Sequence, residues 1–143
     1  MKLERLCVME LRYSGDFHLA RPYGNEAGTG WGIGDGVVTG ERLAGTTHWS
    51  NQPTRRGDGV MLPNARGIIA TPDDAEVLFD LTGRTVFVDR DGEEVGRQLL
   101  TVLFESEHDQ YTWLNNIVCV GDGVIDPVAL TARIDIFTLT SEL

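Results

Sequence analysis

The string Gly-Asp-Gly-Val occurs three times in this chain, as Gly34-Asp35-Gly36-Val37, Gly57-Asp58-Gly59-Val60 and Gly121-Asp122-Gly123-Val124. Each copy borders a run of apolar and β-branched residues. Asp-Gly supplies the positive φ of a tight turn, so the repeat predicts strands that reverse direction repeatedly. Period-2 alternation dominates the sequence, and no stretch carries an apolar stripe at helical spacing. Residues 3–13 predict an opening strand and 37–51 a hairpin bending near Thr39-Gly40-Glu41-Arg42. Residues 58–71 predict a further strand region, closed by Thr71-Pro72-Asp73-Asp74. In 76–88, Val77, Phe79 and Leu81 face one way and Asp80, Thr82 and Arg84 the other. Asp80 and Arg84 then meet either solvent or a wet barrel interior. After a turn at Asp89-Arg90-Asp91-Gly92, segment 97–105 fits a strand better than a helix, and strands at 116–120 and 130–139 follow. Glycines at 24, 28, 30, 32, 34 and 36 make residues 24–36 read as a long, irregular, glycine-rich loop. Loops of that length are usually functional.

The expected fold class is all-β: one antiparallel, up-and-down-like β-barrel of about 8–10 strands with little helix. A single domain over 1–143 suits the length, and 41% apolar residues exclude global disorder. Closure into a barrel also removes exposed strand edges. The net charge of −10 argues against nucleic acid and against anionic membrane surfaces as partners. Residues 1–71 hold eight Lys or Arg against seven acids, and residues 72–143 hold four against fifteen. In a single domain the halves interleave and this asymmetry largely averages out. Charged residues at 2, 4, 5, 10 and 12 are too many for a signal peptide, and no apolar run approaches the roughly 18 residues of a membrane span. The chain reads as cytoplasmic. Cys7 and Cys119 both lie in apolar strand-like runs and read as buried, reduced thiols rather than as a disulfide.

Several signatures fail. Gly28 to Gly36 keeps a strict every-second-residue spacing that fits no G-x-G-x-x-G register, and the only lysine is Lys2, which removes a P-loop. Asp89-Arg90-Asp91-Gly92 lacks the rest of a calcium loop. His18, His48 and His108 are scattered, without metal-ligand spacing, and no Gly-x-Ser-x-Gly elbow exists. The expectation is a protein with no bound metal and no cofactor.

Two segments carry more chemistry than strands and turns require. His48-Trp49-Ser50-Asn51-Gln52-Pro53-Thr54-Arg55-Arg56-Gly57-Asp58-Gly59 joins an aromatic platform to amides, guanidiniums and a carboxylate. Tyr111-Thr112-Trp113-Leu114-Asn115-Asn116 leads into an apolar strand. Indole faces supply contact area and amides supply oriented donors and acceptors, as a pocket for a small polar-aromatic ligand needs. Each residue also has a plain reading: Trp49 and Trp113 as core plugs, Asn115 and Asn116 as backbone caps, Asp58 as turn chemistry, and Arg55 and Arg56 as a solvated loop tip.

These segments resemble the DUF3237 family, also called UPF0311, over nearly the whole chain. The strongest part is Tyr111-Thr-Trp113-Leu114-Asn115-Asn116-Ile-Val-Cys-Val-Gly121, which is similar to the family's aromatic, Trp-Leu-Asn, apolar run and Gly pattern. Gly34-Asp-Gly36, Gly40, Gly45, Trp49, Asp58-Gly59, Ala65-Arg66, Gly83 and the closing strand from Ala132 to Phe137 also fit. The resemblance implies a calycin-like barrel with a pocket near one mouth, to which Trp49, Asp58, Trp113 and Asn115 would contribute. It brings no general mechanism. The glycine-rich 24–36 segment and Asn51-Gln52-Pro53 depart from many members of the family.

The leading functional expectation is a cofactor-independent enzyme of isomerase, cyclase or lyase type, acting on a small organic metabolite by general acid–base catalysis. Asp58 is the candidate base, provided that burial raises its pKa. His48 or Tyr23 is the candidate proton donor, and Asn115 or Asn116 would stabilise developing negative charge. Trp49, Asn51, Arg66, Trp113 and Asn116 are candidate substrate-binding residues, and the glycine-rich loop is a candidate lid. The alternatives are a non-catalytic barrel that binds a small hydrophobic ligand, and a homo-oligomeric interaction module with Trp49 and Trp113 at a subunit interface.

Overall fold

The computed structural model describes residues 1–143, and its eleven strands form one antiparallel sheet that closes on itself. In chain order these are β1 (Lys2–Tyr13), β2 (His18–Ala20), β3 (Gly28–Thr39), β4 (Gly45–Asn51), β5 (Thr54–Arg55) and β6 (Met61–Leu62). They continue with β7 (Asn64–Ala70), β8 (Glu76–Arg90), β9 (Glu93–Glu105), β10 (Val118–Asp126) and β11 (Thr131–Thr140). Eight of them make the barrel wall in the order β1–β3–β4–β7–β8–β9–β10–β11, and β1 closes the ring by pairing with both β11 and β3. Every wall strand lies beside its sequence neighbours, so the expected up-and-down barrel is observed. There is no α-helix, only one 3-10 turn at Thr112–Asn116.

Turn chemistry sets the register where it was expected. Asp91 and Gly92 have φ of 54° and 85°, the paired left-handed geometry of a two-residue hairpin joining β8 to β9. The segment 97–105 is strand throughout, and Asp80 and Arg84 lie on the outer face of β8.

Two readings need correction. Only the middle Gly-Asp-Gly-Val copy is a turn, with Gly59 at φ 87°; the first lies within β3 and the third within β10. Likewise most of the supposed loop 24–36 is strand, since β3 begins at Gly28. The reason is steric. A Cβ at Gly32 would strike the Tyr13 ring, and one at Gly34 would meet both the Arg12 carbonyl and the Trp49 ring. In a strand, every second residue faces the same way. Alternate glycines therefore give β3 a bare inner face, and rings from neighbouring strands fill the space.

The two ends of the barrel differ. At one end the 3-10 turn and the segment before it form a plug. Leu114 is fully buried there, and the Asn115 side chain clamps the Ser106 backbone, accepting from its N–H (2.7 Å) and donating to its C=O (2.8 Å). Ser106 Oγ in turn donates to the Glu76 carbonyl (2.8 Å). At the other end β4 and β7 are linked by the β5–β6 hairpin, which reaches across to β3 and β8 and leaves a mouth. Thr85 at the mouth stands nine residues from Glu76 on β8, about 30 Å of strand at roughly 3.3 Å per residue. Cys7 and Cys119 are both free and buried, and burial pushes their thiols up to about 12 and about 11.

The glycine argument predicts that Gly34→Ala destabilises the barrel by about 2–3 kcal/mol through overpacking against Trp49. Gly57→Ala, at a position with open space around it, stays within ~0.5 kcal/mol. Urea denaturation of both variants checks this, and equal midpoints would refute it.

Candidate functional site

The mouth opens into a cavity of about 450 Å³, within the range of roughly 300–1,000 Å³ usual for small-molecule sites. Phe17, Leu19, Met61, Phe87, Ile125 and Leu130 give it apolar walls, and Arg55, Asp58 and Glu94 contribute charge. Tyr13, Asn51 and Gln98 line both this cavity and a void of about 40 Å³ beside it that reaches Trp49 and Leu81. These three side chains form the polar floor.

Each floor residue is held from two sides. Tyr13 ends β1 in phase with buried Met9 and Leu11, and its ring stands edge-on to Trp49 (4.8 Å) and Phe17 (5.5 Å). Its hydroxyl oxygen accepts a hydrogen bond from Asn51 Nδ2 at 3.0 Å, while Asn51 Oδ1 accepts from the Asn64 N–H at 3.0 Å. Burial raises the Tyr13 pKa, and the Asn51 bond offsets this in part. The phenol therefore keeps its proton at neutral pH. Gln98 is buried at 8% exposure and donates from Nε2 to Thr85 Oγ1 at 3.0 Å, its register partner across β8 and β9. Its Oε1 is buried with no partner.

The charged groups are tied down differently. Arg55 pairs with Glu26 at 2.7 Å, and its Nε is buried and unpaired. Asp58 accepts from Arg56 at 2.6 and 3.1 Å and from the Val60 N–H at 3.2 Å. The Arg56 hydrogen bond, aided by the Val60 N–H, holds the Asp58 carboxyl down at about 2. Leu130 has φ 57°, a left-handed conformation that branched side chains avoid, and its side chain lines the cavity. The turn holds it there: the Leu130 N–H donates to the Asp126 carbonyl (2.9 Å), and its own carbonyl accepts from Tyr13 N–H (3.0 Å).

Residues 17–139 match the family described as "Protein of unknown function (DUF3237)". This chain belongs to that family. Solved structures share the barrel. A β-barrel-like protein from Acinetobacter baumannii is 18% identical with a TM-score of 0.85, covering 97% of this chain and 96% of that one. A conserved protein of unknown function from Rhodopseudomonas palustris is 19% identical with a TM-score of 0.83, covering 97% of each. An enzyme from Penicillium herquei is 21% identical with a TM-score of 0.67, covering 94% and 93%. At these identities the likeness shows the fold alone. No curated protein sequence matches the chain significantly.

In this DUF3237 barrel the residues singled out from sequence fall in separate places, of which His48, Trp49 and Arg66 border one groove of about 800 Å³ on the wall. Asn51 and Asp58 line the mouth, and Trp49 lies deeper in the interior, its Nε1 donating to the Asp35 carbonyl at 3.0 Å. Trp113, Asn115 and Asn116 belong to the plug at the other end. There the Trp113 ring lies 3.8 Å beneath the Arg42 guanidinium, Asn115 clamps Ser106, and Asn116 is exposed. His48 and Arg66 project from the outer face of the wall, Arg66 pairing with Asp80 at 3.8 Å. Tyr23 is 76% exposed in the β2–β3 connection. The expected meeting of two indoles, an amide and a carboxylate around one hollow therefore does not occur, because chain order places Trp49 and Trp113 at different levels of the barrel. The condition set for Asp58 also fails: it is exposed, and its pKa is lowered rather than raised. Sequence reading passed over Tyr13, Gln98, Thr85 and Leu130. No three His, Cys, Asp or Glu side chains gather in a metal-binding group, and no helix is long and apolar enough to cross a membrane.

Two outcomes follow from this geometry. Because the folded pKa of Asp58 is depressed, its pairing is complete above the ordinary aspartate value of 3.8 and is lost as pH falls through about 2. Carboxyl-carbon NMR should show an Asp58 midpoint near 2 that returns toward 3.8 in Arg56→Ala. Leu130 is half-buried, so its strain is read against alanine at the same position: Leu130→Gly should be more stable in urea than Leu130→Ala, because glycine avoids the ~1–2 kcal/mol that the left-handed region costs an L side chain. A glycine variant less stable than the alanine variant would show that the turn stores no strain.

Proposed function

We propose that this protein is a cofactor-independent enzyme of isomerase, cyclase or lyase type, acting by general acid–base chemistry on a small organic metabolite held in the mouth cavity. The observation that carries this reading is the Tyr13–Asn51 pair: a half-buried, protonated phenol on the floor of an apolar-walled pocket. Asn51 spends an amide hydrogen on the phenolic oxygen, so the Tyr13 O–H is free to donate into the cavity. Tyr13 then serves as proton donor to a carbonyl or leaving oxygen, and Arg55 offers positive charge to a developing oxyanion. Asp58 or Glu94 accepts the substrate proton at the rim. Asp58 has to leave Arg56 to become an effective base, because a carboxylate with a pKa near 2 attracts protons weakly. Asn51 contacts the ligand from the floor, and Trp49 supports it through Tyr13. One neighbour in fold, from Penicillium herquei, is described as an enzyme, which agrees with this reading without supplying a reaction.

A second reading is a barrel that binds its ligand without changing it, and the locked Arg56–Asp58 ion pair favours it. A homo-oligomer, if formed, would use the outer face of the wall, where Ile33, Ile68, Leu78 and Leu103 are exposed, because Trp49 is buried inside the barrel.

Untargeted mass spectrometry of a metabolite extract incubated with the protein separates the first two readings. Catalysis of this type should deplete one compound and yield a product of equal mass, or one lighter by a small neutral leaving group. Tyr13→Phe should slow that conversion about 100-fold or more. Enrichment of an unchanged compound on the protein would establish the carrier instead, and full activity of Tyr13→Phe would remove the acid.

A further inference from the structure

We infer that residues 14–27, the connection from β1 to β3, form a gate over the mouth cavity, held shut by the Glu26–Arg55 ion pair and opened by release of β2 from β3. That role rests on the cavity being the ligand site. Phe17 and Leu19, two of its apolar walls, belong to this segment. Only β2 within it is strand, and β2 pairs with β3 alone, through the register partners His18–Trp31, Leu19–Gly30 and Ala20–Thr29. Every strand of the wall instead has a neighbour on each edge. One further backbone bond, from the Ser14 N–H to the Ile33 carbonyl (3.0 Å), ties the segment to the barrel. A unit joined by so few bonds opens at a lower free energy than the wall.

The segment has places to bend and a catch to hold it. Gly15 (φ 137°) and Gly24 (φ 72°) stand on either side of β2, and a Cβ at either would meet nothing within 4 Å, so neither turn is packed against the barrel. Between them the Phe17 ring lies in the hollow over Gly30 and Gly32, 5.5 Å from the Tyr13 ring. Beyond Gly24, Glu26 reaches β5 and pairs with Arg55 at 2.7 Å, while Arg21 lies 3.6 Å from the same oxygen. Glu26 is half exposed, and an ion pair open to water is a weak catch. Its release acts on the site twice. Phe17 leaves one side of Tyr13, and Arg55 loses the carboxylate that neutralises it. Closed, the segment braces the phenol and occupies the cation; open, it gives an entering ligand access to both.

Hydrogen exchange followed by NMR tests the motion without a ligand. The β2 amides should exchange together, at least about 100-fold faster than the amides of β8 and β9 in the wall. Glu26→Gln should speed exchange of β2 about two- to fivefold, the worth of one exposed ion pair, and leave β8 and β9 unchanged. Access to the cavity is read in Trp31→Phe/Trp113→Phe, which keeps Trp49, beside the floor, as the only indole. In that background an Ala20→Cys/Thr29→Cys disulfide should lock β2 to β3, because directly opposed residues come within disulfide reach and the native Cys7 and Cys119 are buried. Acrylamide should quench Trp49 less in the locked protein, and reduction should restore the quenching. Exchange of β2 at the rate of the wall, no response to Glu26→Gln, or quenching indifferent to the disulfide would overturn the gate. None of these results bears on the cavity as the ligand site, which the metabolite experiment decides.

Discussion

Everything at the open end of this barrel depends on one glycine. Gly34 on β3 is the register partner of Tyr13 on β1 and of Trp49 on β4, so the three form one row on the inner surface. Adjacent strands lie about 4.8 Å apart, which puts Tyr13 and Trp49 two strand spacings from each other. Their rings meet at 4.8 Å because nothing rises from the strand between them. Any side chain at residue 34 would occupy the place of that contact. The same complementarity recurs at Gly30 against Phe17 and Pro53, and at Gly67 against Phe79. One wall of bare backbone accepts the rings of its neighbours, and an eight-stranded barrel is just wide enough for this.

The consequence for chemistry runs through Tyr13. Trp49 is pinned by its bond to the Asp35 carbonyl, on the residue after Gly34, and its ring braces Tyr13 from below. Phe17 braces Tyr13 from the other side, and Asn51, itself pinned by Asn64, fixes the hydroxyl. A phenol with three supports loses little orientational freedom when it meets a ligand, which is the condition for a group that donates at a defined point. The closed end shows the opposite use of similar residues. Asn115 and Trp113 spend their polar groups on local backbone, and Leu114 fills the barrel's end.

This contrast explains what could be read in the sequence. Apolar alternation and turn chemistry are local, so β1, the hairpin of β3 and β4, the turn at Asp91-Gly92 and the strand pattern of β8 were all legible. Glycine has no hydrophobicity with which to mark a phase. Alternating glycines at 28 to 36 therefore read as a loop, and Gly-Asp-Gly inside β3 and β10 imitated a turn. The site was less legible because unusual composition within a short stretch stood in for spatial proximity. His48, Trp49 and Asn51 are chain neighbours, yet alternation sends His48 outward while Trp49 and Asn51 face inward. A usable signal did exist in Gln98, a polar residue in phase with Leu100, Val102 and Phe104 on the buried side of β9. A hydrogen-bonding side chain in the apolar phase of a strand is a better pointer to the polar floor of a barrel's cavity than a cluster of polar residues in a turn.

The separation of charge from floor ties the fold to the proposed chemistry. The sequence carries a net charge of −10, and a carboxylate close to the phenol would raise its pKa further and weaken it as an acid. Near Tyr13 the barrel supplies uncharged partners only, in Asn51, Thr85, Gln98 and the surrounding rings. Desolvation consequently leads the causes that raise the Tyr13 pKa, and no carboxylate figures among them. The rim carboxylate Asp58 is treated oppositely: it is exposed and held ionised by Arg56. Environments that push the pKa values of two groups apart separate an acid from a base within a single pocket. An eight-stranded barrel provides that separation through depth alone, since its floor is enclosed by inward-facing side chains and its mouth by solvated turns.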